Sequence, residues 1–570
     1  MTHKNVSIVC LLAGIIAAST AHADDQDQAA REAAARIAKI RAEYARQGPE
    51  HVRKSVGPEV KPSVIDVADK TQVLLADDLI ARTSQLEYKL GRVIKHPEPV
   101  LRAEKPWESF ETHGERCYLI GKPRVHRNPE TGLFQMWYQG GADSCLYATS
   151  EDGIHWEKPS LGIVEYEGSR DNNIIRVKVT GDAVAENTDL VDGYSRHLRG
   201  AGVVYDPHDP DPNRRYKTLM RSTGTYKLVA REEGADKDSF CYRACYSPDG
   251  IHWTVNDQHR AMQASDDTAS TIYDELQNQY VFYRRSWVGG ARAVGIATSK
   301  DFVHWEPFSR DTNCIMAADA KDQQLAMEFG AIWKVIYGFK GFPYGGIYIG
   351  APHVFTVTRP ATWHNLPTSA LGTEDGWLWP ELAWSRDTLH WHRAFQGEAF
   401  IPLGAEESFD RASIDFSASP VRVGNEIWIY YDGRDGTHAC MWYGEPARDP
   451  PEPMRGGAIG LARLRLDGWA LVEAGDETGE LVTNSVSFQG SRLWINADAT
   501  EGEIRVEIMD ENEQPLKGFA GKDCIPVLGD SVRHEVNWDS NAKLATHAGT
   551  PVRLRLVMRN ARLYSFQFTK

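Results

Sequence analysis

The sequence predicts an all-β chain, a five-bladed β-propeller followed by a C-terminal β-sandwich, and three observations predict it. The first is a phrase that recurs along the chain. It reads Ser150-Glu151-Asp152-Gly153-Ile154-His155-Trp156, returns at 247–253, 299–305 and 385–391, and has a weaker fifth copy at Leu466-Asp467-Gly468-Trp469. Asp accepts backbone N–H groups two residues on, Gly takes the left-handed conformation, and Trp opens the next strand with a large apolar face, so the phrase is a turn closing a strand pair. The second observation is that its aspartates, 152, 249, 301, 387 and 467, are unevenly spaced. A helical solenoid needs a fixed period, whereas a propeller tolerates long insertions on one face of each blade. The third is strict alternation after residue 470, as in Ile504-Arg505-Val506-Glu507-Ile508, which is the pattern of sheets with one buried face.

Lys4, the apolar stretch from Val6 to Ala18 and the small-residue pattern Ala21-His22-Ala23 predict an export signal over 1–23 and a periplasmic or extracellular protein starting at Asp24. The apolar run is shorter than the roughly 20 residues that span a bilayer, so no membrane attachment is expected after cleavage. The formal net charge is −15, and one unit more negative without Lys4, with both signs well mixed. That balance argues against nucleic acid and anionic membranes as partners. Cys10 leaves with the signal, and Cys117, Cys145, Cys241, Cys245, Cys314, Cys440 and Cys524 remain. They show no zinc spacing, and their odd number leaves at least one thiol unpaired.

Residues 24–60 are expected to form an arm, helical to about Gln47 by its Ala, Arg and Glu content and stopped at Gly48-Pro49. The propeller is expected over 61–469 and the sandwich over 470–570. A strand at 71–80 is assigned to complete the last blade and lock the ring. Later units repeat strand, turn, strand, loop, strand and then the Asp phrase, with inner strands beginning near Tyr118, Ala201, Ala269, Ala331 and Ala412. Asp206, Asp209 and Asp211 suggest a calcium loop, but the prolines between them and the lack of an EF-hand Gly and Glu favour a solvated turn.

This architecture resembles the five-bladed glycoside hydrolases of families 32 and 43. More closely, 147–159 with Leu161-Gly162, Asp171-Asn172-Asn173, and 502–507 with Leu563-Tyr564-Ser565-Phe566 are similar to a group of exported bacterial proteins of that superfamily. The resemblance implies a carbohydrate substrate, and since no Gly-rich phosphate loop or GxSxG elbow stands in a suitable context, no nicotinamide, flavin or nucleotide cofactor is expected. Neither the family 32 Asn-Asp-Pro-Asn nor its Arg-Asp-Pro is present, and Lys122 stands before Pro123 where family 43 would have Asp. Catalytic residues are therefore sought by position.

Inner strands of a propeller begin at one rim, so residues at their starts converge. Glycosidic cleavage needs two carboxyl groups, one to protonate the leaving oxygen and one to act as nucleophile or base. The candidates are Asp267, beside Asp266; Glu328, among Met327, Phe329 and Ile332; and Asp410, after Glu406 and Glu407. Glu115 is a weaker one. Each is equally read as an ordinary loop acid. Arg199, Arg285, Tyr344 and His438 are candidates for holding substrate. An arginine there would fit a uronate or sulfate, or would tie blades together through carbonyls. The His-Trp pairs are read as turn and core residues and not as a metal site.

Two other functions compete with an exported hydrolase. The phrase resembles the sialidase Asp-box, although that motif has one more residue between Asp and Gly and belongs to six blades. A non-catalytic glycan-binding propeller would need the rim carboxylates unpaired.

Overall fold

The computed structural model describes residues 20–112, 115–141, 145–180, 194–195, 202–221, 241–256, 258–263, 270–289, 291–307, 313–360, 374–417, 420–438 and 456–570. The chain is nearly all β, with two α-helices among the described residues, α1 (Thr20–Val56) and α2 (Ala320–Phe329). The predicted export signal lies mostly outside them.

Among the described residues, runs of antiparallel strands follow one another, described below as five groups, of which the fourth and fifth are hydrogen-bonded into one sheet through Glu374–Pro380, parallel to Ser413–Phe416. The first is Gly121–Arg127, Phe134–Gln139, Cys145–Ser150 and Ile174–Ile175. The second runs Val204–Tyr205, Tyr216–Arg221, Cys241–Ser247 and Trp253–Val255, and the third Ser270–Asp274, Gln279–Val288, Ala291–Ser299 and Cys314–Met316. The fourth is Trp333–Tyr344, Ile347–Pro360, Leu382–Ser385 and His392–Ala394. The fifth, Ser413–Phe416, Glu426–Arg434 and Gly457–Arg465, is completed by two strands from far earlier in the chain, Ile94–Lys95 and Leu101–Arg102. Large aromatic and β-branched residues at these positions are what half-buried pleated surfaces select.

Buried apolar residues bridge neighbours in cyclic order. Phe134 and Met136 of the first group pack with Trp428 and Tyr430 of the fifth, and Trp137 and Tyr147 with Tyr216 and Trp253 of the second. Leu219 and Tyr242 meet Phe282 and Trp305 of the third, whose Tyr283 and Ile296 meet Phe339 and Phe355 of the fourth. The fourth and fifth share a core with the C-terminal sheet.

That sheet has nine strands, among them Gly479–Thr483, Arg492–Met509, Arg553–Arg559 and Ala561–Thr569. Here the strand expectation for 71–80 is corrected. Gln72–Val73 pairs with Ala561–Thr569, and Ile80–Ser84 and Glu87–Leu90 also enter the C-terminal sheet. The last group is instead completed by 94–102, where Lys95 and Leu101 each have a sheet partner and an inward contact. A second correction concerns α1, which runs through Gly48 and Pro49 to Val56. Tyr44 packs edge-on to Trp333 at 5.9 Å, Val52 and Val56 join the same core, and a Cβ at Gly48 would lie 2.7 Å from the Ala318 carbonyl. This packing outweighs the hydrogen bond lost at Pro49.

The recurring phrase builds one turn four times. In the first copy Asp152 Oδ1 accepts from the N–H groups of Ile154 and His155, Oδ2 meets His155 Nδ1 at 2.7 Å, and the Trp156 indole donates to the Gly153 carbonyl. The same bonds recur around Asp249, Asp301 and Asp387. The residue after Asp has φ of +77° at Gly153 and +79° at Gly250, but also +66° at Phe302 and +70° at Thr388, where a side chain carries the strain. The turns tie neighbours together: Tyr430 donates to the Gly153 carbonyl and Trp137 to that of Gly250. Three of the four histidines are exposed, so they clamp Asp and are not core residues.

The acidic turn is corrected as well. Asp206 is buried, and Asp206 and Asp209 close on the fully buried Lys217 ammonium at 3.0 and 2.8 Å. Lys217 thus occupies the place a cation would take between Asp206 and Asp209, while Asp211 and the prolines of the turn stay exposed, so the turn is solvated along its outer edge only. The six described cysteines are buried and form no disulfide among themselves; burial pushes the Cys117 thiol up to about 11 and those of Cys145 and Cys314 to about 12. Cys440 lies outside the described residues.

Candidate functional site

One cavity receives residues from all five strand groups. Its lining includes Lys122, Pro123, Arg124 and Gln139 from the first, Val203 and Thr218 from the second, Ser270 from the third, Lys340 from the fourth, and Asp415, Phe416 and Ser417 from the fifth. Its volume is about 70 Å³.

The first inner strand enters under steric constraint. A Cβ at Gly121 would stand 2.3 Å from Asp432 Oδ2, so only glycine allows this approach. Lys122 follows with φ of +49°, an unusual conformation for a side-chain-bearing residue. Asp432 is paired with Arg434 Nη2 at 2.8 Å. Arg124 donates to the carbonyls of Val203 at 2.8 Å and Thr271 at 2.9 Å, tying the first group to the second and third. Burial lowers its guanidinium to about 10.

Asp415 is the one acid among the described lining residues. Its Oδ1 lies 3.7 Å from Lys340 Nζ and 3.7 Å from His353 Nδ1 and makes no hydrogen bond among the described residues. Burial pushes its carboxyl up, but the charges of Lys340, His353, Lys122 and Arg434 outweigh burial and hold it below the ordinary carboxylate value. Lys340 and His353 are both lowered, by burial first, with Asp415 opposing. His353 is buried with neither ring nitrogen in a well-formed hydrogen bond among the described residues, and the backbone of Ile414, the carboxylates of Asp415 and Asp432 and the Lys340 ammonium act on it. A neutral imidazole beside an ionised carboxylate is the resulting state near pH 7.

Of the sequence-predicted residues, Asp267 and Arg199 lie outside the described residues, and so does the side chain of Glu115. Glu328 is not at an inner strand start. It stands exposed near the end of α2, accepting from Gln324 at 2.9 Å, because the chain forms a capped helix over 320–329 before the inner strand begins at Trp333. Asp410 is 1% exposed and lines no part of the cavity. Lys95 Nζ at 2.7 Å, Tyr431 Oη at 2.8 Å and Ser408 Oγ occupy its oxygens, which makes it the clamp between the completing strand and the fifth group. Tyr344 donates to Asp467 at 2.7 Å and packs against Trp469, at the joint with the C-terminal sheet rather than at the cavity.

Arg285 and His438 do come together, at Tyr337. Arg285 Nη2 donates to the Tyr337 carbonyl at 2.7 Å with its guanidinium 4.6 Å from the ring, and His438 Nε2 is 3.1 Å from the phenol oxygen. The other face of the relationship is His353, edge-on to Tyr337 at 5.8 Å. Asp415, Lys340, His353 and Lys122 were missed by seeking acids at strand starts. Their signal was a charged residue between apolar ones inside an inner strand, as in Ile414-Asp415-Phe416 and Phe339-Lys340-Gly341. Among the described residues, no group of three His, Cys, Asp or Glu is arranged to hold a metal ion.

No family model matches the chain, and no curated protein matches it. Among solved structures it is similar to an N-acetylgalactosamine deacetylase from F. plautii solved with blood group B trisaccharide, at 14% identity and a TM-score of 0.39, covering 68% of this chain and 97% of that one. It is also similar to a structure from work on the GH130 family of mannoside phosphorylases and glycoside hydrolases that target β-1,2 mannosidic linkages in Candida mannan, at 11% identity and TM-score 0.38, covering 66% and 94%. A glycosyl hydrolase from Bacteroides ovatus is similar at 12% identity and TM-score 0.36, covering 66% and 94%. At these scores the likenesses carry no argument about the reaction.

Proposed function

We propose that this chain is an exported glycoside hydrolase whose reacting centre is the five-sided cavity, with Asp415 as its ionised carboxylate. The observation that carries the reading is Asp415 itself, an acid on the cavity wall with an oxygen that has no hydrogen bond among the described residues and with cations arranged to keep it charged. A carboxylate in that state acts as general base or nucleophile in glycosidic cleavage. Glycosidic cleavage needs a second carboxyl, and the candidate is Asp267, taken from the sequence alone because it lies outside the described residues.

The fold reading belongs to the same proposal. Cyclic sharing of cores between successive strand groups, with the last completed by 94–102, supports a five-bladed propeller, and the nine-stranded sheet is read as a sandwich bracing the ring. Export rests on the pattern of residues 1–23.

A second reading has one observation in its favour: Asp415 has no other acid beside it among the described lining residues, as a glycan-binding propeller would require. A hydrolysis screen of the protein from Asp24 onward separates the two, using a polysaccharide and aryl-glycoside panel that includes uronate and sulfated glycans. Released sugar, lost in Asp415→Asn and Asp267→Asn, supports the hydrolase. Binding without product from any glycan supports the second reading and removes the catalytic roles.

A further inference from the structure

We infer that a second cavity, where the fifth strand group meets the chain entering the first, binds one further sugar unit on the ring of Tyr118, so that the protein takes an oligosaccharide rather than a monosaccharide. The inference rests on the reading of the five-sided cavity as a glycan site and adds a subsite to it. The second cavity has a volume of about 410 Å³. That lies within the roughly 300–1,000 Å³ of pockets that hold a small molecule, whereas the five-sided cavity, at about 70 Å³, accommodates only an edge of a sugar ring.

The backbone holds Tyr118 in place and leaves its ring open. Leu119 forms a parallel bridge with Gly457, and the Ile120 N–H donates to the Gly457 carbonyl at 3.4 Å. A Cβ at Gly456 would stand 2.2 Å from the Tyr118 carbonyl, and one at Gly457 would stand 2.3 Å from Leu119 Cδ1, so two glycines permit this close crossing. The same two glycines line the cavity without side chains, and Tyr118 beside them is 37% exposed. Pro97 and Pro99, with their restricted backbones, form another part of the wall. Arg102 and Glu406 are exposed on the lining, one a donor only and the other, when ionised, an acceptor only. Sugar hydroxyls both donate and accept, and the apolar face of a sugar ring packs on an aromatic one, so this set matches a sugar without needing a charged substituent.

The two cavities share their walls' strands. Tyr118 of the second and Lys122 of the first are four residues apart, at most about 14 Å between Cα atoms. Asp415 of the first pairs in register with Asp432, and Asp435, just beyond on that strand, lines the second. A glycan with one edge in the small cavity therefore has the larger one within reach of its neighbouring units.

The test is calorimetric titration of the protein from Asp24 onward, carrying Asp415→Asn to prevent turnover, with gluco-, manno-, xylo- and galacto-oligosaccharides of one to four units. In at least one series the longer members are expected to bind ten-fold or more tightly than the monosaccharide. Tyr118→Ala should remove that gain, whereas Tyr118→Phe, which keeps the ring, should retain it. Glu406→Ala should weaken the longer members three-fold or more, and as a change at an exposed residue it remains informative where Tyr118→Ala fails to fold. No gain with length in any series, or a gain unchanged in both Tyr118→Ala and Glu406→Ala, overturns the inference. Because binding is read without turnover, a chain whose affinity grows with glycan length but whose parent cleaves nothing keeps this inference and sinks the hydrolase reading. Cleavage of aryl monoglycosides by the parent, with no gain from longer glycans, does the reverse.

Discussion

The Lys340 ammonium stands 3.7 Å from the Asp415 carboxylate on the wall of the cavity, and this pairing sets the direction in which Asp415 titrates. The carboxyl is held below its ordinary value of 3.8, so its ionised form persists as pH falls past that value and is lost only when pH passes the lowered one. The acid limb of kcat/KM is therefore expected below pH 3.8. Lys340→Gln removes the principal cation, leaving burial to dominate, and should move that limb upward. Asp415→Asn should lower kcat by about 10²–10⁴-fold, the range of a lost acid–base group. An acid limb unmoved in Lys340→Gln would break the link between these two residues.

The four repeated turns predict how the chain fails in acid. Asp301 is held near 2: burial pushes it up, and the bonds from His304 and the backbone outweigh burial; Asp152, Asp249 and Asp387 are also lowered. Because these folded-state values lie below the ordinary 3.8, their contribution to stability is complete above that value and disappears as pH falls through about 2. Unfolding followed by circular dichroism should show stability declining across this window. Asp249→Asn and Asp387→Asn should each lower the neutral-pH Tm and flatten the decline, since the variant has less left to lose. A decline as steep as the parent's would show that the turns do not govern it.

How far the sequence spoke depended on whether a feature was local. The turn at Asp152 was legible because its donors lie within three residues, and the alternating C-terminal strands because each carries its own period. The completing strand was not, because Gln72–Val73, Ile94–Lys95 and Leu101–Arg102 are each two residues long, too short to show a period, and only their distant partners decide which joins which sheet. Glu328 was misplaced because the helix cap at Asp319 and Asp322, which turns 320–329 into α2, was not read. Asp415 was overlooked for a related reason. An inward charge inside a strand reads as a packing defect until four other strands are known to leave a cavity there.

Lys217 gives a prediction about a buried charge. Its ammonium is fully buried against Asp206 and Asp209, and Tyr280 donates to the same Asp206 oxygen. Lys217→Met leaves the buried Asp206 without its cation and Asp209 with Arg214 alone, at 3.7 Å, and should cost about 3–5 kcal/mol in urea unfolding. The double variant Lys217→Met with Asp206→Asn should recover part of that loss. If calcium restored the single variant and not the parent, the vacated position would be acting as a cation site.

The last prediction separates architecture from chemistry at Asp410. The carboxylate joins Lys95 of the completing strand to Tyr431 of the fifth group, 1% exposed and outside the cavity lining. Asp410→Asn keeps the shape and removes the charge, leaving Lys95 to the Pro402 carbonyl alone among its described partners. Because Lys95 is partly solvated, the expected loss is near the low end of about 3–5 kcal/mol for a broken buried pair. Hydrogen exchange should show it first in 94–102 and 457–465, the strands that complete the fifth group. Turnover per folded molecule should stay within a few-fold of the parent, in contrast to Asp415→Asn. If Asp410→Asn instead abolishes turnover at unchanged Tm, the carboxylate at 410 belongs to the chemistry and the cavity at Asp415 is the wrong centre.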